Sequence, residues 1–335
     1  MKVMAHRRRT EGDWLVEEER DIPGPGRGEV LVRIEACGVC RTDLHIVEGD
    51  LPDMVPGIVP GHEVVGAVEQ VGKGVSHFAR GDRAGIMWLH GTCGRCQYCL
   101  SGRENLCRSK EFTGYTVDGG YAQFALAREG FLLPISHSMG AVEAAPLLCS
   151  GIIGYRALKM AMPPPGGRLG IFGFGGSAHL TLQAASGIGL DVGVVSRGDA
   201  HLDLAKRLGA SEVWKSGPKA WKELAGRFDT AIVFAPAGEV VSLALESVKP
   251  GGRVAVPAVH LDRVPEMSYR EHLFREKSLF SVEANTRADA HEFLALASRL
   301  GIRSETESIP LAQANEGLRR LKHGKVNGAE VLTVT

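Results

Sequence analysis

Along the first third of the chain, apolar residues recur at every second position in short runs broken by glycine. In GEVLVRIEACG, Val30, Val32 and Ile34 alternate with Leu31, Arg33 and Glu35, the period of a half-buried strand. HEVVGAVEQVG and GGYAQFALAR carry the same pattern, and turns such as PGPGRG separate the runs. Together they predict a twisted, largely antiparallel β region of roughly 140 residues. A helix-like segment, GAVEAAPLLCSGIIGYRALKMA, closes it.

Beyond the turn PPPGG (163–167) the rhythm changes. The apolar run RLGIFGFG is followed by DVGVVS, FDTAIVFA and GGRVAVPAV, with the helical patterns DAHLDLAKRLGA and EVVSLALESVK between them. Strands alternating with helices imply βαβ units and a parallel sheet. Near residue 285 the alternation loosens into a helix, ADAHEFLALASRLG, and a closing strand, AEVLTVT. No internal repeat or low-complexity tract interrupts the chain.

Composition adds bounds to this picture. At 335 residues the chain is long for one core, so two domains are expected. Hydrophobic content of 44% with 23% charge fits a globular protein. Its 39 basic and 39 acidic residues cancel, which gives no electrostatic ground for a nucleic-acid or membrane partner. The run Arg7-Arg8-Arg9 is followed by acids and reads as a solvated face. The N-terminus shows no apolar stretch of signal-peptide length, and no run of about 18 apolar residues occurs, so the expected location is cytoplasmic. Thiols stay reduced there, and seven cysteines, an odd number, point to metal sites before disulfides.

GFGGSA, Gly173 to Ala178, follows an apolar strand and opens a helix-like segment. It matches G-x-G-x-x-G/A: Gly173 turns the chain, Gly175 lets backbone approach a pyrophosphate, and small Ala178 permits close helix–strand packing. Gly176 and its neighbours at the helix N-terminus present free amides to phosphate. An acid that grips the ribose 2′-hydroxyl of NAD is expected about 20 residues on. That place reads Ser196-Arg197, with no acid until Asp199. An arginine can receive a 2′-phosphate, so NADP(H) is favoured over NAD(H); a surface Arg197 and a capping Asp199 are the plainer alternative.

TCGRCQYCLSGRENLC spaces Cys93, Cys96, Cys99 and Cys107 as C-x2-C-x2-C-x7-C. Four thiolates complete a tetrahedral Zn²⁺ and leave no open position, which is the mark of a structural site; an iron–sulfur cluster also uses such cysteines. Cys37, Cys40 and Cys149 remain. A catalytic zinc needs three protein ligands and an open position. Cys40, His62 (with Glu63 beside it) and Cys149 are candidates, but each also reads as an ordinary buried residue, and spacing alone does not join them. Cys37-Gly-Val-Cys40 has the spacing of a redox pair, although the chain lacks a thioredoxin-like unit around it.

GVCRTDLH, GHEVVGAVEQVG, GDRAGIMWLHGTCGRCQYC, LLCSGIIGYRAL and GFGGSA resemble, in this order, motifs of the zinc-dependent alcohol dehydrogenases of the medium-chain dehydrogenase/reductase family. The resemblance covers essentially the whole chain. It implies a GroES-like antiparallel β catalytic domain (1–148 and 286–335) with a Rossmann doubly wound domain (149–285) inserted. It implies two Zn²⁺ per chain, one catalytic on Cys40, His62 and Cys149 and one structural on the four-cysteine loop. Thr42 would accept the alcohol proton and pass it through the nicotinamide ribose to His45, whose ordinary pKa suits a relay. Asp43 would orient His62. Arg41 would lie near the pyrophosphate, Trp88 would line the substrate pocket, and Glu63 would orient a ligand or serve as an occasional fourth one. Cys37 becomes a spare buried thiol, and His77 and His90 surface or satisfied histidines.

Two departures stand out. Ala329 replaces an arginine that often grips cofactor phosphate in the family, and Ser196-Arg197 replaces the acid of NAD-dependent members. The implied activity is oxidation of an alcohol to an aldehyde or ketone, and the reverse, by a homo-oligomer (dimer or tetramer). A reductase for cinnamyl-type aromatic or allylic alcohols and a zinc-binding interaction protein on the same scaffold are the alternatives.

Overall fold

The computed structural model describes residues 1–7, 13–52 and 54–334. Arg8 and Arg9 of the basic run lie outside the described residues. The chain divides into two compact units, one of Met1–Cys149, Asn285–Glu292 and Arg303–Thr335, the other of Ser150–Ala284 and Phe293–Ile302.

The first unit is built on a seven-stranded sheet. Its central strand Glu29–Val39 lies between Ala329–Thr333 and Val64–Val71, both antiparallel to it, and also pairs with Phe124–Arg128. Thr306–Pro310 adds to Ala329–Thr333 in parallel at one edge. The alternation of Val30, Val32 and Ile34 resolves as expected: all three join a core with Val64, Val68, Leu132 and Leu332. Leu31, expected on the opposite face, is also buried at 3% exposure. On that face Arg33 remains exposed and Glu35 half-buried, so of these three positions only Leu31 is covered.

The second unit is a six-stranded parallel sheet. In space the strands run Glu212–Lys215, Asp191–Ser196, Arg168–Phe172, Phe228–Val233, Val248–Val256, Ser278–Ser281. That is the doubly wound order, in which the first strand sits centrally and the connection reverses beside it. The helices Ser150–Ala161 and Gly176–Gly187 meet closely at Gly154, where a Cβ would lie 2.0 Å from Thr181 Oγ1.

The helix-like segment 140–161 is not continuous. It forms Ala141–Ala144, a 3₁₀ turn Ala145–Leu148 and the helix Ser150–Ala161, broken at Cys149, whose φ of −133° is not helical. Pro146 lacks the amide that a continuous helix would use. Residues 293–302 differ from the expected domain boundary as well. They pack with the Rossmann unit because the Phe293 ring is fully buried against Gly151, where a Cβ would come within 2.2 Å of it. Among the described residues no single helix is long and apolar enough to cross a membrane.

Candidate active site

The segment after the central strand of the first unit turns at Cys40 into the helix Arg41–Glu48. Cys40 is its N-cap, and Asp43 at the third helical position accepts the Cys40 backbone N–H at 2.9 Å. The capping contact fixes the Asp43 side chain, which is completely buried. Its Oδ1 accepts from His62 Nδ1 at 3.0 Å, which assigns the ring proton to Nδ1 and leaves Nε2 as the lone-pair nitrogen. That Nε2 is buried and makes no hydrogen bond.

Around it, Cys40, His62, Glu63 and Cys149 each bring a ligand atom within 4.8 Å of the others. Two soft sulfurs, an imidazole with an orphaned nitrogen and an adjacent carboxylate suit zinc. The cluster's charges are strongly coupled. The hydrogen bond from Cys149, with His62 alongside, pulls the Cys40 thiol well below its usual range despite burial. The same contact and burial push Cys149 well above it. Burial opposes protonation of His62, yet the Asp43 carboxylate and the Cys40 charge hold its pKa well above the ordinary value. A cation in the cluster would take over this role from the proton.

Thr42 and His45 share the helix that starts at Cys40. Thr42 Oγ1 lies 3.8 Å from Cys40 Sγ, and His45 Nδ1 lies 2.8 Å from Asp50 Oδ2. Trp88 meets His62 edge-on, with centroids 4.9 Å apart, and stacks on Phe112 at 4.5 Å. Tyr115 stacks more distantly on the same indole. Asp50, Phe112 and Tyr115 carry no sequence signal, since only folding brings them to this place. Arg41 is exposed and donates to the Leu321 carbonyl at 3.3 Å. Cys37 is fully buried, and burial pushes its thiol well above the usual range. His90 corrects the surface reading: it is 8% exposed, and its Nδ1 lacks a hydrogen-bond partner.

The four-cysteine loop gathers as its spacing implies, with ligand atoms of Cys93, Cys96, Cys99 and Cys107 within 4.8 Å of one another. Backbone amides of Arg95 and Cys96 lower the Cys93 thiol to about 6, while burial raises Cys107 to about 11. Glu104, in the same loop, accepts from the backbone N–H and Nε of Arg287 at 3.1 and 3.2 Å. The loop is thereby tied to the segment by which the chain re-enters this unit.

In the second unit, Gly173 has φ +89°, and a Cβ there would lie 2.7 Å from the Ala235 amide nitrogen. Gly175 caps the helix Gly176–Gly187, nothing lies within 4 Å of where its Cβ would be, and Ala178 is fully buried. This is a helix N-terminus opened by glycines at the end of the first strand of a doubly wound sheet, which fits a pyrophosphate. Ser196 ends the second strand with Oγ 3.5 Å from His201 Nδ1, and Arg197 is exposed. Asp199 is paired with Lys215 at 2.8 Å. Ala329 is buried in its strand and offers no charge.

A dinucleotide fingerprint and a soft, buried metal pocket meet in one kind of chemistry, so the class defined is a metal-assisted nicotinamide oxidoreductase. Comparison with known proteins makes this more specific. Residues 26–137 match the family described as alcohol dehydrogenase GroES-like domain, and residues 176–299 match zinc-binding dehydrogenase. A probable alcohol dehydrogenase of Mycobacterium tuberculosis is 46% identical over 93% of this chain and 91% of its own length. An alcohol dehydrogenase of Geobacillus stearothermophilus is 39% identical over 96% of each chain. The solved structure of a cinnamyl alcohol dehydrogenase from Sorghum bicolor matches with a TM-score of 0.91 at 28% identity, covering 99% of this chain and 97% of that one. The chain belongs to the zinc-type alcohol dehydrogenases of the medium-chain dehydrogenase/reductase family. It interconverts small alcohols with aldehydes or ketones, using a nicotinamide cofactor.

Proposed function

We propose that Cys40, His62 and Cys149 hold a catalytic zinc, that the four-cysteine loop holds a structural one, and that the enzyme prefers NADP(H). The observation that carries the catalytic assignment is the buried, unpaired Nε2 of His62 among two thiols and the Glu63 carboxylate. Zinc in that pocket supplies Lewis acidity that lowers the pKa of the alcohol hydroxyl.

The chain's own groups do the rest. Asp43 holds the His62 proton on Nδ1, so the free Nε2 lone pair stays directed into the pocket. Thr42 accepts the hydroxyl proton, and His45, oriented by Asp50, carries it onward. Trp88, backed by Phe112, presents an apolar face beside His62 for the alcohol's substituent. Gly173, Gly175, Gly176 and Ala178 receive the pyrophosphate, and the family resemblance assigns Arg41 to cofactor phosphate. Glu63 stands close enough to act as an occasional fourth ligand.

The cofactor preference is supported by the chain around Ser196. No acid occupies the ribose position, Arg197 is free to approach a 2′-phosphate, and Lys215 offsets the nearby charge of Asp199. A cytoplasmic location and assembly as a dimer or tetramer complete the reading, supported by the family resemblance.

A steady-state screen of short aliphatic, branched and aromatic alcohols and aldehydes with both cofactors, run beside metal analysis, tests it. The expected result is zinc-dependent turnover, faster with NADP(H), and about two zinc ions per chain. Turnover unaffected by removal of zinc would overturn the catalytic assignment.

A further inference from the structure

We infer that Tyr121 is a positioning residue for the catalytic metal, acting through Asp43 on His62. The Asp43 carboxylate is fully buried and receives four donors. Oδ1 accepts from His62 Nδ1 at 3.0 Å and from the Gly61 amide at 3.1 Å. Oδ2 accepts from the Cys40 amide at 2.9 Å and from the Tyr121 hydroxyl at 3.2 Å. These four contacts fill the hydrogen-bonding capacity of an ionised carboxylate.

Two of the donors are backbone amides beside prospective ligands, and the third is a ligand itself. Tyr121 is the only donor from a distant part of the chain, 78 residues from Asp43. Its ring is fully enclosed and so defines where the hydroxyl stands. Burial and the Asp43 charge raise the phenol well above its usual range, so it stays protonated and donates. Gly61 accommodates the arrangement: its φ is +97°, and a Cβ there would lie 2.4 Å from the Tyr121 ring. The residue that delivers one of the two backbone amides must therefore be small for the tyrosine to fit.

Without the hydroxyl, one lone pair of a buried carboxylate goes unmatched, and the carboxylate can rotate away from His62. The imidazole then loses the partner that fixes its tautomer and ring angle. Tyr121 touches neither metal nor substrate, so its effect should appear as weaker metal retention.

The inference rests on the zinc assignment above, and its test separates the two. Zinc content of the purified holoenzyme is measured first, followed by the rate of zinc transfer to a chromophoric chelator. The proteins compared are wild type, Tyr121→Phe, Asp43→Asn and the double variant. Tyr121→Phe removes one oxygen and keeps the ring contacts, and zinc retained by the four-cysteine loop reports the fold. Tyr121→Phe is expected to release the catalytic zinc about tenfold faster while leaving the slowly released zinc unaffected. In the Asp43→Asn background the tyrosine change should add less than about twofold, because neighbours acting as one unit are not additive. The ligand-field absorption of the cobalt-substituted protein should shift in Tyr121→Phe and not shift further in the double variant. Unchanged release and spectrum in Tyr121→Phe, or full additivity in the double variant, overturns the inference. Absence of a second zinc from wild type instead overturns the metal assignment.

Discussion

His45 Nδ1 stands 2.8 Å from the Asp50 carboxylate, at the end of the helix that begins at Cys40. Gly49, with φ +81°, lets the chain leave that helix in a left-handed turn and brings Asp50 back beside the histidine. The contact directs the other ring nitrogen away from Asp50. If His45 carries the alcohol proton, Asp50→Asn should lower kcat about tenfold, within the usual range for an acid–base partner, without changing zinc content. Measuring kcat and bound zinc on one preparation decides it; an unchanged kcat would leave Asp50 with a capping role only.

Local patterns and distant contacts differed in how far sequence could reveal them. The glycine fingerprint and the four-cysteine loop are contiguous, so spacing carried their geometry. Cys40, His62 and Cys149 are separated by long stretches, and only resemblance joined them before folding did. Asp50, Tyr121 and Lys215 carry no sequence signal, because each acts through a partner brought close by the turn or sheet register, as Lys215 is beside Ser196. The break at Cys149 was also hidden, since apolar periodicity runs through it even though the backbone does not. Chain position puts residues 293–302 with the C-terminal segment of the catalytic unit, whereas Phe293 packing places them in the other unit.

The proposed cofactor preference rests on a small group of charges. Lys215 pairs with Asp199, and under the proposed NADP(H) preference Ser196 and Arg197 would meet the adenosine ribose. Ser196→Asp should lower the NADP/NAD ratio of kcat/KM by at least about tenfold, because the carboxylate hydrogen-bonds a free 2′-hydroxyl and repels a 2′-phosphate. Saturation curves with each cofactor provide the comparison. A ratio unmoved by the substitution would place the ribose contact elsewhere.

The two cysteine clusters should respond differently to mutation. Cys107 is 1% exposed and ties a loop with little core of its own, so Cys107→Ser should reduce bound zinc by one and destabilise the fold. Cys40→Ser should also lose one zinc, abolish turnover and leave the unfolding midpoint closer to wild type. Metal analysis and urea unfolding on both variants read the two effects separately. The assignment of roles fails if Cys107→Ser is the variant that keeps its fold and loses only turnover.

His179 makes acid stability a test of packing in the Rossmann unit. The ring is fully buried in the helix after the glycine fingerprint, and burial lowers its pKa to about 4, against about 6.5 when unfolded. Above pH 6.5 it is neutral in both states and costs nothing. As pH falls, the unfolded chain takes up the proton first, so stability declines through this window and the residue's contribution levels off below about pH 4. The difference corresponds to about 3 kcal/mol in all. His179→Gln removes this titration while keeping a polar side chain near the Gly175 carbonyl. Its urea midpoint should therefore decline less than that of wild type between pH 7.5 and pH 4.5. Protonation of the metal ligands affects both proteins alike and cancels in the comparison. Parallel declines would show that His179 is hydrated or already protonated in the folded state.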